Sequence, residues 1–181
     1  NGGNITGEGE SICVIDTGVD YTHTDLGGCG SNSNINDAGC SKVIGGYDYV
    51  NDDEDPIDDH GHGTHVAGIV ASANSVYRGV APDAGIVALK MLDYGGSGGT
   101  ADLISSIDWC VNNATIMNIS VITMSLGTTT LFSEYCDSDD TLLTSSIANA
   151  IKNNISVIAA TGNAGSTTGI SSPGCIENVT S

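Results

Sequence analysis

Short apolar runs alternate with helical segments along the whole chain, and this alternation constrains the fold more than any other feature. The runs each stop at glycine or a turn-forming polar residue, which predicts buried strands at 11–16, 43–50, 85–92, 119–126 and 156–160. Helical spacing of apolar residues predicts helices between them, at 64–73, 102–112 and 142–151. The order predicts one α/β domain over residues 1–181, with a doubly wound, mostly parallel sheet and helices on both faces.

The charge balance excludes one class of partner. Four Lys and Arg residues stand against 22 Asp and Glu, which gives a net charge of −18. A chain this acidic is not expected to bind nucleic acid, because the phosphate backbone would repel it. No apolar run reaches the length that spans a membrane. The acids are interpreted either as a solvated surface or, where they cluster, as cation ligands.

The cysteines indicate an oxidising compartment. Six cysteines without a C-x-x-C pair favour disulfides over zinc or redox chemistry. Four of them lie in loop-like regions, and we predict two bridges there, Cys29 with Cys40 and Cys136 with Cys175. The other two, Cys13 and Cys110, lie in a predicted strand and helix and are expected to be buried thiols. Together with the acidity and a first residue other than Met, this predicts a secreted, processed protein.

Polar side chains follow several of the predicted strands. In parallel sheets, ligands bind at these carboxyl ends of the strands. Asp16 ends the first strand, Asn163 follows the last, and His62 precedes the first helix. A buried carboxylate can fix the tautomer of an imidazole that then takes a proton, and a rigid amide can stabilise an oxyanion. Taken singly, each residue has an ordinary structural interpretation, as a turn former, a core histidine or a cap.

Five motifs resemble, in content and order, those of the subtilisin-like serine proteases, the subtilase family. They are VIDTGVD at 14–20, HGTHVAG at 62–68, GVAP at 79–82, SLG at 125–127 and AATGN at 159–163, and the pattern is closest to thermitase-like members. The resemblance implies a secreted endopeptidase in which Asp16 is the triad aspartate, His62 the general base and Asn163 the oxyanion donor.

The same resemblance implies where a polypeptide would bind. The segment Gly96, Ser97 and Gly98 corresponds to the edge on which these proteases bind substrate as an added strand. The opposite wall is implied for Ser125, Leu126 and Gly127. The specificity pocket would then lie between that wall and the segment containing Ala160 and Gly162, and such a pocket favours a large apolar side chain.

The acidic loop before His62 predicts a calcium site. Oxygen groups recur at short spacing on Asp48, Asn51, Asp53, Asp55 and the carbonyl of Ile57, and hard cations such as calcium prefer such ligands. Residues 45–62 also resemble thermitase in spacing, and that relative holds calcium in this loop. The alternative interpretation is a solvated acidic loop without a metal.

One element of the triad is not found in the sequence. The family order is Asp, His, Ser, and the nucleophilic Ser lies in a Gly-Thr-Ser-Met-Ala-like motif after Asn163 that these 181 residues do not contain. Ser125 belongs to the substrate wall and does not replace it. We therefore expect a fold truncated before the nucleophile helix and a chain inactive alone. The nucleophile would come from a remainder lost by truncation or held after a nick. The alternative is a non-catalytic module that binds calcium and peptides.

Overall fold

A five-stranded parallel sheet forms the centre of the chain. The computed structural model describes residues 5–30, 35 and 40–181. The strands are β1 (Ser11–Asp16), β2 (Val43–Asp48), β3 (Gly85–Lys90), β4 (Ile119–Met124), β5 (Leu131–Phe132), β6 (Ser156–Ala159) and β7 (Ile170–Ser171). The large sheet has the order β2-β3-β1-β4-β6, and β5 pairs with β7 in a small antiparallel sheet. The helices are α1 (His62–Ala71), α2 (Thr100–Met117) and α3 (Thr141–Lys152), with a 3₁₀ turn at Thr24–Leu26.

Alternating side chains of the parallel strands build one core on each face of this sheet. On one face, Ile15 of β1 packs in a cluster with Ile107 of α2 and Ile147 of α3. On the other face, Val14 packs in a cluster with Ala67 of α1. Strands buried on both faces explain why the sequence shows continuous apolar runs rather than alternation. The doubly wound α/β prediction is confirmed.

All six helix boundaries differ from those predicted, by one or two residues except at the end of α2. Helix α1 begins at His62 rather than at residue 64, after Gly61 in a left-handed conformation with a φ of 99°. Helix α2 continues to Met117 rather than ending at residue 112. Ala114 and Met117 pack against the core, and this burial carries the helix past its two polar asparagines. Strands β5 and β7 were not predicted, because two residues are too few to show a period.

The prediction of free thiols at Cys13 and Cys110 is wrong: the two form a disulfide. Both residues are fully buried, as expected, but Cys13 faces the side of the sheet on which α2 packs. Their Cα atoms lie 6.4 Å apart, within the range of a disulfide. The bridges Cys29–Cys40 and Cys136–Cys175 are confirmed. A strand-to-helix pairing depends on how α2 is rotated against the sheet, which the sequence does not show.

Candidate active site

An aspartate and a histidine meet where strand β1 and helix α1 face each other. Asp16 ends β1 on the face that packs against α1, because it keeps the alternation of Ile12 and Val14. His62 opens α1, and its Nδ1 lies 2.7 Å from Asp16 Oδ1. The Asp16 side chain is fully buried, and that of His62 is 43% exposed. Because an ionised carboxylate only accepts, the shared proton belongs on Nδ1, which leaves Nε2 able to take another.

Glycine at position 63 allows the two elements to approach this closely. A Cβ on Gly63 would stand 2.1 Å from the Gly18 carbonyl oxygen and 3.1 Å from Asp16 Cβ. The Gly63 N–H also donates to Thr17 Oγ1 at 2.9 Å, and the Thr17 N–H donates to Asp16 Oδ1 at 2.7 Å. Any side chain at Gly63 would therefore push His62 away from Asp16.

Asp58 joins the loop after β1 to the start of α1. Its Oδ1 accepts from Thr17 Oγ1 at 2.9 Å and from the N–H groups of His60 and Gly61. Its Oδ2 accepts from the N–H of Thr64 at 2.9 Å and from the Thr64 hydroxyl. Burial alone would raise the pKa of Asp58, but these hydrogen bonds outweigh it and lower the pKa below its usual value.

Sequence analysis missed Asp58, although its sequence carries a signal. An acidic residue shortly before a helix caps free N–H groups, and Asp58 stands four positions before His62. Within the run of acids at 51–59, several positions offered the same signal. The capping residue among them therefore could not be identified from the sequence.

Lys90 is a second residue that the sequence did not reveal. It is 1% exposed at the end of β3, next to Asp16 in the sheet register. Its Nζ donates to the carbonyl oxygens of Thr17 at 2.8 Å and Leu92 at 3.1 Å, and to Asp59 Oδ1 at 2.6 Å. A buried ammonium needs such partners, and here they hold the chain that follows Asp16.

His62 and Asn163 line one cavity of about 820 Å³, whereas Asp16 is fully buried and contacts His62. Its lining includes, among the predicted residues, His62, Asn163, Gly96, Ser97, Gly98, Ser125, Leu126 and Gly127. Ala160 and Gly162, which were also predicted to bind substrate, are exposed but do not belong to this lining. His60, which was not predicted, also faces the cavity, and its ring centroid lies 6.3 Å from that of His62. A larger cavity of about 960 Å³ includes Phe132 and Ile170 in its lining but none of the predicted catalytic residues.

Main-chain groups are available on both walls of this cavity. In the segment from Gly96 to Gly98, two N–H groups form hydrogen bonds within the loop. The Gly96 N–H donates to the Asp93 carbonyl oxygen, and the Ser97 N–H donates to Asp93 Oδ1. In contrast, the N–H and C=O of Gly98 and of Gly127 make no hydrogen bond to the described part of the chain. An extended peptide can pair with such groups as an added strand.

The predicted calcium ligands run from Asp48 at the end of β2, through the turn that holds Asn51 and Asp53, to Asp55 and Ile57 in the irregular chain beyond it. Asp48 is 1% exposed, and its carboxylate accepts from the N–H groups of Val50 and Asn51 and from Asn51 Nδ2. The main chains of Asp48 and Asp53 pair with each other. Asp55 Oδ1 accepts from a tyrosine hydroxyl at 2.6 Å.

These carboxylates therefore do not form a ready metal site. In the described ranges, His, Cys, Asp and Glu side chains form no group of three or more that could hold a metal ion. Asp48 instead accepts hydrogen bonds from donors of the loop itself, and Asp55 accepts one from Tyr21 of the loop after β1. Calcium at Asp48, Asn51, Asp53, Asp55 and Ile57 stays a prediction, and the chemistry below takes no step through it.

Comparison with known proteins identifies the fold. A crystal structure of a cold-adapted subtilisin-like serine proteinase superposes with a TM-score of 0.70 at 36% identity. It covers 88% of this chain, and this chain covers 49% of it. The order of the parallel strands and the two helical layers are therefore those of a subtilisin-like α/β fold.

Sequence relatives agree with the structural match. Serine protease AprX of Bacillus subtilis (strain 168) is 37% identical over 99% of this chain, and a thermophilic serine proteinase of Bacillus sp. (strain AK1) is 40% identical over 94%. The chain spans 39% and 37% of these two relatives. The profile of the subtilase family, Peptidase_S8, matches residues 7–181. The chain belongs to the subtilase family of serine proteases.

Proposed function

We propose that this chain provides the aspartate, the histidine and the oxyanion donor of a serine endopeptidase. The contact between Asp16 and His62 at the cavity carries the proposal. In the reaction, Asp16 holds the Nδ1–H tautomer of His62 and stabilises the imidazolium that forms. His62 Nε2 takes the proton of the attacking hydroxyl and passes it to the leaving amine. The Asn163 amide donates to the oxygen that becomes negative.

We further propose that the nucleophilic serine comes from sequence outside residues 1–181. The support is the family's order of catalytic residues and the fact that the chain spans 39% of its relative AprX. On this proposal, residues 1–181 alone hydrolyse nothing, and they acquire activity only together with the remainder of the protease.

Polypeptide is the proposed substrate, bound as an extended strand between Gly98 and Gly127. The free main-chain groups on the two walls support this mode. The net charge of −18 argues against nucleic acid as a ligand.

Secretion and calcium binding complete the proposal. Three disulfides support an oxidising compartment, and one relative is a minor extracellular protease, Epr of Bacillus subtilis (strain 168). No helix in the part of the chain described is long and apolar enough to cross a membrane. For calcium, the support is the set of oxygen groups from Asp48 to Ile57.

The test combines a label with an intact mass. Purified protein is treated with a serine-reactive phosphonate, denatured without reduction and weighed, and the labelled residue is located by peptide mapping. We expect the label on a serine outside residues 1–181, and we expect peptide hydrolysis to stop with labelling. A protein that binds peptides but takes no label and hydrolyses nothing would instead be the non-catalytic module.

The oxyanion role has its own matched pair of variants. Asn163→Ala in the complete protease should lower kcat by about 10²–10³ with little change in KM, because its hydrogen bond strengthens in the transition state. Asn112→Ala, at an exposed position of α2, should leave kcat unchanged. Equal activity of both variants would remove Asn163 from the mechanism.

A further inference from the structure

Strand β3 ends in a buried lysine that stands between two buried aspartates. In the sheet register, Lys90 lies beside Asp16 of β1 and beside Asp48 of β2. All three residues are at most 1% exposed. Lys90 keeps the alternation of Ile86 and Ala88, so its side chain belongs to the face of the sheet on which α1 packs. The catalytic carboxylate therefore has a buried positive charge as its neighbour in the sheet.

This ammonium does not pair with either of those aspartates. It donates to the carbonyl oxygens of Thr17 and Leu92 and to the carboxylate of Asp59, which uses all three of its protons. No other carboxylate oxygen of the described residues lies within 4.0 Å of its Nζ. Asp16 Oδ2 is buried without a hydrogen-bond partner in the same part of the structure. The lysine thus places its charge near Asp16 without competing with His62 for the carboxylate.

The three acceptors belong to the three segments that build the candidate site. Thr17 directly follows Asp16, and Asp59 lies in the loop that leads into α1. Leu92 opens the loop that carries the substrate segment at 96–98, and it lines the cavity itself. One buried group therefore fixes how the aspartate, the helix of the histidine and the substrate segment lie relative to one another.

The charge of Lys90 also reaches the loop of the substrate segment. The N–H groups of Ser97 and Gly95 donate to Asp93 Oδ1 and lower the pKa of that carboxyl, and the positive charges of Lys90 and His60 lower it further. A charge inside a protein acts over such distances because the interior screens it less than water does. Removing this ammonium should therefore be felt at the catalytic histidine.

We infer that Lys90 is a positioning residue for the catalytic pair: its ammonium fixes the loops that carry Asp16 and His62 and supplies a positive charge beside them. The inference rests on the proposed endopeptidase function. Asp59 takes part through Lys90, because a buried ammonium needs a charged partner. The other titratable groups that face this cluster, from the strands and loops packed around it, are Asp16, Asp48, Asp58, His60, His62 and Asp93.

The test compares the pH dependence of kcat/KM in the complete protease and its variants, because the acidic limb reports the general base of the free enzyme. Lys90→Met nearly keeps the length of the side chain but removes its charge. We expect kcat to fall about 10²-fold, the cost of a misplacement of about 1 Å. We also expect the midpoint of the acidic limb to rise by about 0.5–1 pH unit, because loss of a nearby positive charge favours the imidazolium.

A second variant decides the matter if Lys90→Met does not fold. Asp59→Asn acts at a side chain that is 48% exposed, and it removes the negative charge but keeps an oxygen that can accept. It should lower kcat by about threefold to tenfold, as for one weakened hydrogen bond. The midpoint should move to lower pH, because loss of a negative charge disfavours the imidazolium. General loosening of the site would lower kcat in both variants without moving either midpoint.

Lys152→Met is the matched control, since it removes an exposed lysine at the end of α3. It should leave both kcat and the midpoint unchanged. Wild-type kcat in Lys90→Met, or an unmoved midpoint in the folded variants, overturns the inference, while hydrolysis by the wild type upholds the endopeptidase. A complete protease that hydrolyses no peptide overturns both.

Discussion

Asp16 Oδ1 and His62 Nδ1 lie 2.7 Å apart although 46 residues separate them in sequence. The pair forms because β1 and α1 pack face to face and because Gly63 lets the chain of Gly18 pass at van der Waals distance. The carboxylate is buried and the imidazole is partly exposed, so the histidine can reach a ligand while its partner cannot. This asymmetry is what a general base requires.

Replacing the carboxylate by an amide tests the pair. Asp16→Asn keeps the shape but presents a donor or a weaker acceptor to His62, so the productive tautomer is no longer favoured. We expect kcat of the complete protease to fall about 10⁴-fold. In residues 1–181, the proton NMR signal of the His62 Nδ1–H should be observable at low field and be lost in Asp16→Asn. Asp20→Asn, in the same loop without a contact to His62, is the control. Wild-type turnover in Asp16→Asn would contradict the assignment.

Acid should weaken the junction that Asp58 makes. Because hydrogen bonds lower its pKa in the folded state, its stabilisation is complete above the unfolded value of about 3.9 and is lost as the pH falls through the folded pKa. Asp58→Asn should lower the free energy of unfolding at pH 7 by about 1–2 kcal/mol, allowing for partial exposure. Urea unfolding from pH 7 to pH 3 measures this, and the difference from wild type should shrink at the acidic end.

Asp139→Asn provides the comparison for Asp58. Its side chain is exposed and makes no hydrogen bond or ion pair with the described residues, so the variant should follow the wild-type stability at every pH. A difference between Asp58→Asn and wild type that stays constant down to pH 3 would rule out the charge of Asp58 as the cause.

The residues that sequence analysis proposed for the site share a local signal. Asp16, His62 and Asn163 each stand at the end of a predicted element, and parallel topology alone brings such ends to one edge. The two loop disulfides were predicted from a different signal. Their cysteines lie in loop-like regions, and no C-x-x-C pair indicated zinc or redox chemistry. Periodicity and order were sufficient for the fold class, whereas the roles of Asp16, His62 and Asn163 stay predictions.

The residues that it missed depend on packing between distant elements. Lys90 reads as a strand residue, and only the fold shows that its ammonium reaches the loop after Asp16. Cys13 and Cys110 were placed in the core correctly, yet their pairing depends on the rotation of α2. Ser171 lies in a two-residue strand that has no period at all, and only the fold shows that it packs against Gly127 and Gly162.

The disulfides that close the longest and the shortest loop should differ in their contribution to stability. Cys13–Cys110 closes a sequence separation of 97 residues and Cys29–Cys40 one of 11. The loop-entropy relation gives about 4.7 and about 2.8 kcal/mol. The double variant Cys13→Ala with Cys110→Ala should therefore lose more free energy of unfolding in urea than Cys29→Ala with Cys40→Ala. An equal loss, or a larger one for the short loop, would mean that strain or residual structure dominates the entropy term.

Calcium should stabilise the fold if the loop from Asp48 to Ile57 binds it. Saturation at 100 times the Kd adds about 2.7 kcal/mol, which for a chain of this size raises Tm by about 5–10 °C. Asp53→Asn removes a charged ligand and should reduce this shift, whereas Glu134→Gln, at an exposed position beside the larger cavity, should not. Thermal unfolding with calcium and with a chelator measures both.

Because Asp48 already accepts three hydrogen bonds, binding would require the turn to exchange those donors for the ion. If calcium does not shift Tm, or shifts it equally in Asp53→Asn, the loop does not bind calcium through Asp53 and is a turn held by its own hydrogen bonds.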